Sequence, residues 1–321
     1  MQLNLPVRET LLACRNLLIM GMGGGFDLYC GLPIYFDLTA RGQTVHLANY
    51  SFAALAELSQ IEQFSETLFA VSSEAMPRSG YWPEAYLAQW LAAQQGAETT
   101  IWAFQRPGVG QLQRDLRLLI ERLQLDGILL IDGGVDSLVR GNEAAIGTPQ
   151  EDSVSLLAVD ALEDVPVRLL ACIGLGAEQD MTYAHIMENI AALTQAGAFL
   201  GACALTAQMP VYQAYEAALT FAHDQPDQTP SIINTSIISA VRGFCGDFHV
   251  TERTSGSRLW ISSLMALYWF FELESVARHN LFAGDLRPTE TLFDAARAIT
   301  RRRLLVHKRP WRRFHFKFAW K

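Results

Sequence analysis

No apolar run in this chain approaches the roughly 20 residues that a membrane-spanning helix needs. The longest, Leu259 to Phe271, holds two serines and runs into Glu272 and Glu274, so it reads as a buried helix. The stretch Met1 to Glu9 has no basic region ahead of an apolar segment, and no secretory signal is expected. Cysteine is sparse. Cys14, Cys30, Cys172, Cys203 and Cys245 are scattered, and none forms a Cys-x-x-Cys pair, which disfavours zinc and redox motifs. They read as reduced, buried thiols, and the expected location is the cytoplasm. Charged residues make up only 18% of the 321, while half are apolar, a composition that excludes disorder and fits a packed core.

Basic residues are scarce in the body of the chain. From Arg301 to Lys321 there are nine Lys and Arg and no acids, which leaves residues 1–300 with 16 bases against 33 acids. A body at −17 disfavours nonspecific nucleic-acid binding, whose affinity comes from phosphate attraction.

What is present is an alternation of short apolar runs with amphipathic stretches. Asn16 to Gly21, Thr44 to Ala48, Thr100 to Phe104, Gly127 to Ile131 and Val167 to Ile173 read as strands. Residues 52–63, 84–95 and Val109 to Leu125 read as helices, and Thr148-Pro-Gln-Glu151 carries the signature of a capped helix start. Beyond about residue 183 the pattern is helical, near 183–196, 209–222 and 257–279, with Ser231 to Ala240 more β-like. Strands alternating with helices imply right-handed crossovers and a doubly wound, mainly parallel Rossmann-like α/β sheet with helices on both faces. We expect one domain over 1–321: a core sheet at about 14–180, a helical C-terminal elaboration at about 181–300, and a basic aromatic arm at 301–321.

Three strands run out into glycine-rich turns: Gly21-Met-Gly-Gly-Gly-Phe-Asp27, Asp132-Gly-Gly-Val-Asp136 and Gly174-Leu-Gly176. In open parallel sheets a ligand binds beyond the carboxyl ends of strands where the strand order reverses, so the first two turns should face one another. Gly23, Gly24 and Gly25 remove every Cβ from the first turn and let backbone N–H groups approach an anion, and Gly133 and Gly134 do the same for the second. The dinucleotide fingerprint is incomplete: Gly21 and Gly23 fit, but Phe26 takes the third glycine position and Ala48-Asn49-Tyr50 supplies no acid for a ribose. No Gly-x-x-x-x-Gly-Lys-Ser/Thr or Gly-x-Ser-x-Gly occurs.

Acids crowd this edge instead. Asp27, Asp132, Asp136, Glu143 and Asp152 lie in or just beyond the two turns. Asp132 and Asp136, flanking Gly133-Gly134, are candidates to hold Mg²⁺ or Mn²⁺ through oxygen ligands or to act as acid and base. The third turn leads to Glu178, His185 and Asn189, with His185 the best-placed proton carrier among the histidines. Ser72 to Pro83, polar and without apolar periodicity, reads as a lid over the site.

Met22-Gly-Gly-Gly-Phe-Asp27, the block Ile131 to Glu143 with Gly147-Thr-Pro-Gln-Glu-Asp152, and Met187-Glu-Asn-Ile190 resemble the uncharacterised family known as domain of unknown function 1152. Ile238 to Phe248 and Ser262 to Phe270 are similar as well. The resemblance covers nearly the whole chain, is most specific from Asp132 to Asp152, and implies one domain and the place of the site, but no reaction.

The site points to an enzyme acting on a small polar metabolite, phosphorylated or nucleotide-like ones included, by transfer, hydrolysis or elimination. A nicotinamide-dependent oxidoreductase and a non-catalytic ligand sensor or scaffold are the alternatives. In the tail, Phe314, Phe316, Phe318 and Trp320 alternate with His315, Lys317 and Lys321, a strand period. Leaving four such aromatics in water forgoes on the order of 1.5–3 kcal/mol each, so an arm docked on the acidic body or on a second copy is expected, with a membrane surface as the rival.

Overall fold

The apolar runs lie side by side in one nine-stranded sheet. In a computed structural model of the chain, which describes residues 6–77, 80–96, 98–178 and 180–312, the strands are β1 (Asn16–Gly21), β2 (Thr44–Ser51), β3 (Glu62–Gln63), β4 (Leu68–Val71), β5 (Ile101–Gln105), β6 (Gly127–Gly133), β7 (Val167–Ile173), β8 (Phe199–Ala204) and β9 (Leu267–Glu272). Their order across the sheet is β3-β4-β5-β2-β1-β6-β7-β9-β8. The five central strands are parallel, and the pairs at both edges are antiparallel. The chain winds from β1 out to β5 and returns to place β6 against the other side of β1, so the order reverses between them.

Strand pleating divides the core. Leu17, Ile19, Leu129 and Ile131 point to one face, where the helices Leu32–Thr39, Pro83–Gln95 and Pro210–His223 pack. Leu18, Met20, Ile128 and Leu130 point to the other, against Val109–Leu123, Gln150–Asp160, Tyr183–Gln195 and Leu292–Leu305. Strands covered on both faces need apolar side chains throughout, which is why β1 and β6 read as unbroken apolar runs.

Several local expectations are corrected. Residues 52–63 hold one 3₁₀ turn, Leu55–Glu57, and then β3, because a spacing of three between buried Leu55 and Leu58 is met by a single tight turn as well as by a helix. Ser231 to Ala240 is helical: Ile232–Val241 starts on Ser231, whose hydroxyl accepts from Asn234 N at 3.2 Å, and this cap with burial overrides the β-branched composition. Within 257–279, Leu267 to Glu272 is β9, an aromatic run that pairs with both β7 and β8, and only Leu273–His279 is an α-helix. The sheet therefore extends past residue 180, and the later part of the chain is not solely helical. The helix after Pro149 begins at Gln150 without a side-chain cap, and Thr148 hydrogen-bonds Asp136 through its backbone instead. Cys14, Cys30 and Cys172 are buried, but Cys203 is half-buried and Cys245 exposed; all are free thiols.

Among the described residues no helix is long and apolar enough to cross a membrane. The alternating aromatics at 314–320 lie outside the described residues.

Candidate functional site

At the reversal between β1 and β6, Gly21 pairs with Ile131 and the two glycine turns leave the sheet as neighbours. Between them opens a cavity of about 590 Å³, whose lining includes Gly23, Asp27, Asp132, Gly133, Asp136, Thr148, Asp152, Glu178 and Asp180. Each carboxylate arrives by a different local device. Asp27 opens the short helix Asp27–Cys30, and its Oδ2 accepts from Gly23 N at 2.7 Å. Asp132 is the penultimate residue of β6; its Oδ2 accepts from Ser137 N at 3.1 Å and from the Ser137 hydroxyl. Asp152 comes from the first turn of Gln150–Asp160. Glu178 follows β7 and accepts from Val135 N at 3.3 and 3.2 Å, which ties the third turn to the second.

Glycine is required here for space. A Cβ on Gly133 would lie 2.6 Å from Asp27 Oδ1, and one on Gly134, whose φ is +151°, would lie 2.6 Å from Glu178 Oε1. Gly24 and Gly25 have φ of +91° and +58° and turn elsewhere: Phe52 fills the space beside Gly24, and the Tyr81 hydroxyl lies 2.7 Å from where a Cβ of Gly25 would be. The Gly23 N–H, expected to meet an anionic ligand, is taken by Asp27 of the chain itself. Asn49, at the ribose position of a dinucleotide fold, donates to Gly25 O at 2.9 Å and to Glu84 Oε1 at 2.7 Å.

Asp27, Asp132 and Asp152 converge, each offering an oxygen within 4.8 Å of those of the other two. Asp152 is 2% exposed, and its Oδ1 has no hydrogen-bond partner among the described residues. Burial raises the pKa of Asp27, Asp132, Asp136, Asp152 and Glu178, and their mutual repulsion raises it further. Glu151, behind them, is lifted by burial to about 7. A buried, partnerless carboxylate oxygen costs free energy unless a proton or a cation meets it.

Not every candidate reaches this cavity. Glu143, His185 and Asn189 form a separate cluster that does not line it. Glu143 is fully buried; it accepts from Arg140 N and Gly141 N at 2.8 Å, from Asn189 Nδ2 at 2.7 Å and from Arg309 Nη2 at 2.7 Å. Burial alone would raise its pKa, but the hydrogen bonds from Asn189 and the backbone outweigh it and hold the carboxylate ionised. His185 is buried, with its pKa lowered by burial and then by the Arg309 charge, and its Nδ1 accepts from Ala144 N at 3.3 Å. Glu143 and Asn189 are tied up fixing the 140–147 loop and the C-terminal segment, and His185, held to that loop through Nδ1 alone, does not line the cavity. Nor does any described residue of Ser72 to Pro83 line it; Tyr81 packs instead on Phe26, with ring centroids 5.7 Å apart.

Sequence reasoning passed over Thr148, Ala177, Asp180, Ile232, Ile233 and Arg253, which complete the lining. Asp180 follows the third turn and was findable by the same rule as Glu178. Arg253, 77 residues beyond the third glycine turn, is brought in only by the tertiary fold.

A family model described as "Protein of unknown function (DUF1152)" matches residues 18–306. The chain belongs to this family. The match takes in every residue named in the cavity, and the family's description names no activity. No curated protein matches the chain.

Proposed function

We propose that this member of the family is a divalent-cation-dependent enzyme that acts on a small polar metabolite at the carboxyl edge of its sheet, by transfer, hydrolysis or elimination. The observation that carries the reading is the partnerless, buried Oδ1 of Asp152 beside the converging carboxylates of Asp27 and Asp132. Oxygen-only donors of this kind suit a hard cation such as Mg²⁺ or Mn²⁺. The metal set is thus Asp27, Asp132 and Asp152, with Asp136 adjacent, in place of Asp132 and Asp136 alone. Such a cation would polarise a bound oxygen or activate water. Free cysteines, one of them exposed, accord with a reducing cytoplasm.

Turnover of a panel of small polar metabolites, measured with Mg²⁺ or Mn²⁺ and again after chelation, tests the reading. Activity that needs the cation and is abolished in Asp132→Asn is expected. Turnover that is indifferent to chelator and to that substitution would overturn it.

A further inference from the structure

Two unlike groups of side chains line the cavity. One is built of carboxylates: Asp27, Asp132, Asp136, Asp152, Glu178 and Asp180. The other is formed by Ile232, Ile233 and Arg253, the single cationic side chain among the described lining residues. Arg253 is exposed, and Nη1 donates to Pro230 O at 3.1 Å. Although six acids line the same cavity, it makes no ion pair with any described residue, so its charge is not spent on the protein's own carboxylates. Ile232 and Ile233 belong to the first turn of the ten-residue helix Ile232–Val241, so the positive end of that helix borders the cavity.

A cation among the carboxylates changes what the cavity attracts. It offsets part of their negative charge, and Arg253 with the helix end adds positive charge to the rest of the lining. We infer that the substrate is a small organic phosphate, with its phosphoryl group between the cation and Arg253 and its less polar part against Ile232 and Ile233. A phosphoryl group offers several charged oxygens at once, so it can serve a cation and an arginine together; Mg²⁺ is commonly held by one or two carboxylates plus a substrate phosphate. This inference rests on the cation reading above.

The test separates the two. Mn²⁺ binding is followed by the loss of the free-ion paramagnetic signal, first with Mn²⁺ alone and then calorimetrically with inorganic phosphate, using acetate as the carboxylate control. Parent and Arg253→Ala should bind Mn²⁺ equally. Phosphate, and not acetate, should bind the Mn²⁺-loaded parent, weakened about tenfold or more in Arg253→Ala and partly restored in Arg253→Lys. If Mn²⁺ binds but phosphate does not, or binds both proteins alike, the phosphate inference fails and the cation reading stands. If Mn²⁺ does not bind the parent, both fall.

Discussion

Asp27 and Asp152 close on Gly23 from two different elements, so that a methyl group there would lie 2.5 Å from Asp27 Oδ2 and 2.7 Å from Asp152 Oδ1. The glycine is a matter of space and not of handedness, since its φ is not among the positive ones. Gly23→Ala should force the two carboxylates apart, cost about 1–3 kcal/mol of stability, and remove the stabilisation by Mg²⁺. Thermal melts with and without Mg²⁺ measure both effects. An alanine variant with the parent's full Mg²⁺ response would show that the carboxylates do not act on a shared ion.

Asp152→Asn makes a sharper comparison, because two effects of opposite sign separate. Without a divalent cation the substitution removes the cost of protonating a buried carboxyl among its neighbours, and the variant should be as stable as the parent or more so. With the cation, the parent gains by mass action, about 2.7 kcal/mol at a hundredfold excess over Kd, and the variant gains little. The two melting curves should cross as Mg²⁺ is added. Parallel shifts in both proteins would place the cation elsewhere.

The sheet was readable because β1, β6 and β7 are covered on both faces and so carry the apolar runs Leu17–Met20, Gly127–Ile131 and Leu169–Ile173, and the reversal between β1 and β6 follows from the alternation that precedes it. That alone located Asp27, Asp132, Asp136 and Glu178 together. Aromatic β9 was not legible: a short run apolar on both faces has no period to tell strand from helix. Position after a strand also misplaced His185. Its helix does follow the third turn, but the ring turns into a cluster with Ala144 and the Arg309 charge rather than into the cavity. Arg253 gave no local signal, since only the tertiary fold brings its segment to the cavity.

The acidic cavity also fixes the sign of a pH effect. Asp27, Asp132, Asp136, Asp152 and Glu178 have folded pKa values above the ordinary carboxyl value, so the folded chain holds protons that the unfolded chain has released. These groups make stability fall as pH rises, beginning near the unfolded value of about 4 and continuing at least to about 7, where Glu151 titrates. They outnumber His46, His185 and His223, whose lowered pKa values act in the opposite direction. Cation-free protein should melt progressively lower over that range. Saturating Mg²⁺, which favours the ionised carboxylates, should flatten or reverse the trend. A cation-free melting temperature that climbs over the same interval would contradict the burial of these groups as acids.

The second cluster predicts a structural role for the C-terminal segment. Arg309 joins Glu143, Asn189 and Glu188, while Arg303 donates to the carbonyls of Gly141 and Glu143 at 3.0 and 2.7 Å. Together they fasten the 140–147 loop, which leads directly to Thr148 and Asp152. Glu143 has no exposed surface, and removing its cationic partner leaves a buried charge held only by dipoles. Arg309 is itself 23% exposed, so Arg309→Ala should cost somewhat less than a fully buried pair, about 2–4 kcal/mol. Arg312, whose pair with Glu188 is exposed on both sides, should cost within about 1 kcal/mol when changed to alanine. Chemical denaturation of both variants, and of a chain ending at Lys308, gives the comparison. The truncated chain should lose at least as much as Arg309→Ala, and Glu143→Gln in the Arg309→Ala background should recover part of the loss because the stranded charge is gone. If Arg309→Ala is no worse than Arg312→Ala, the ion pair does not hold the loop, and the C-terminal segment contributes nothing to the site through it.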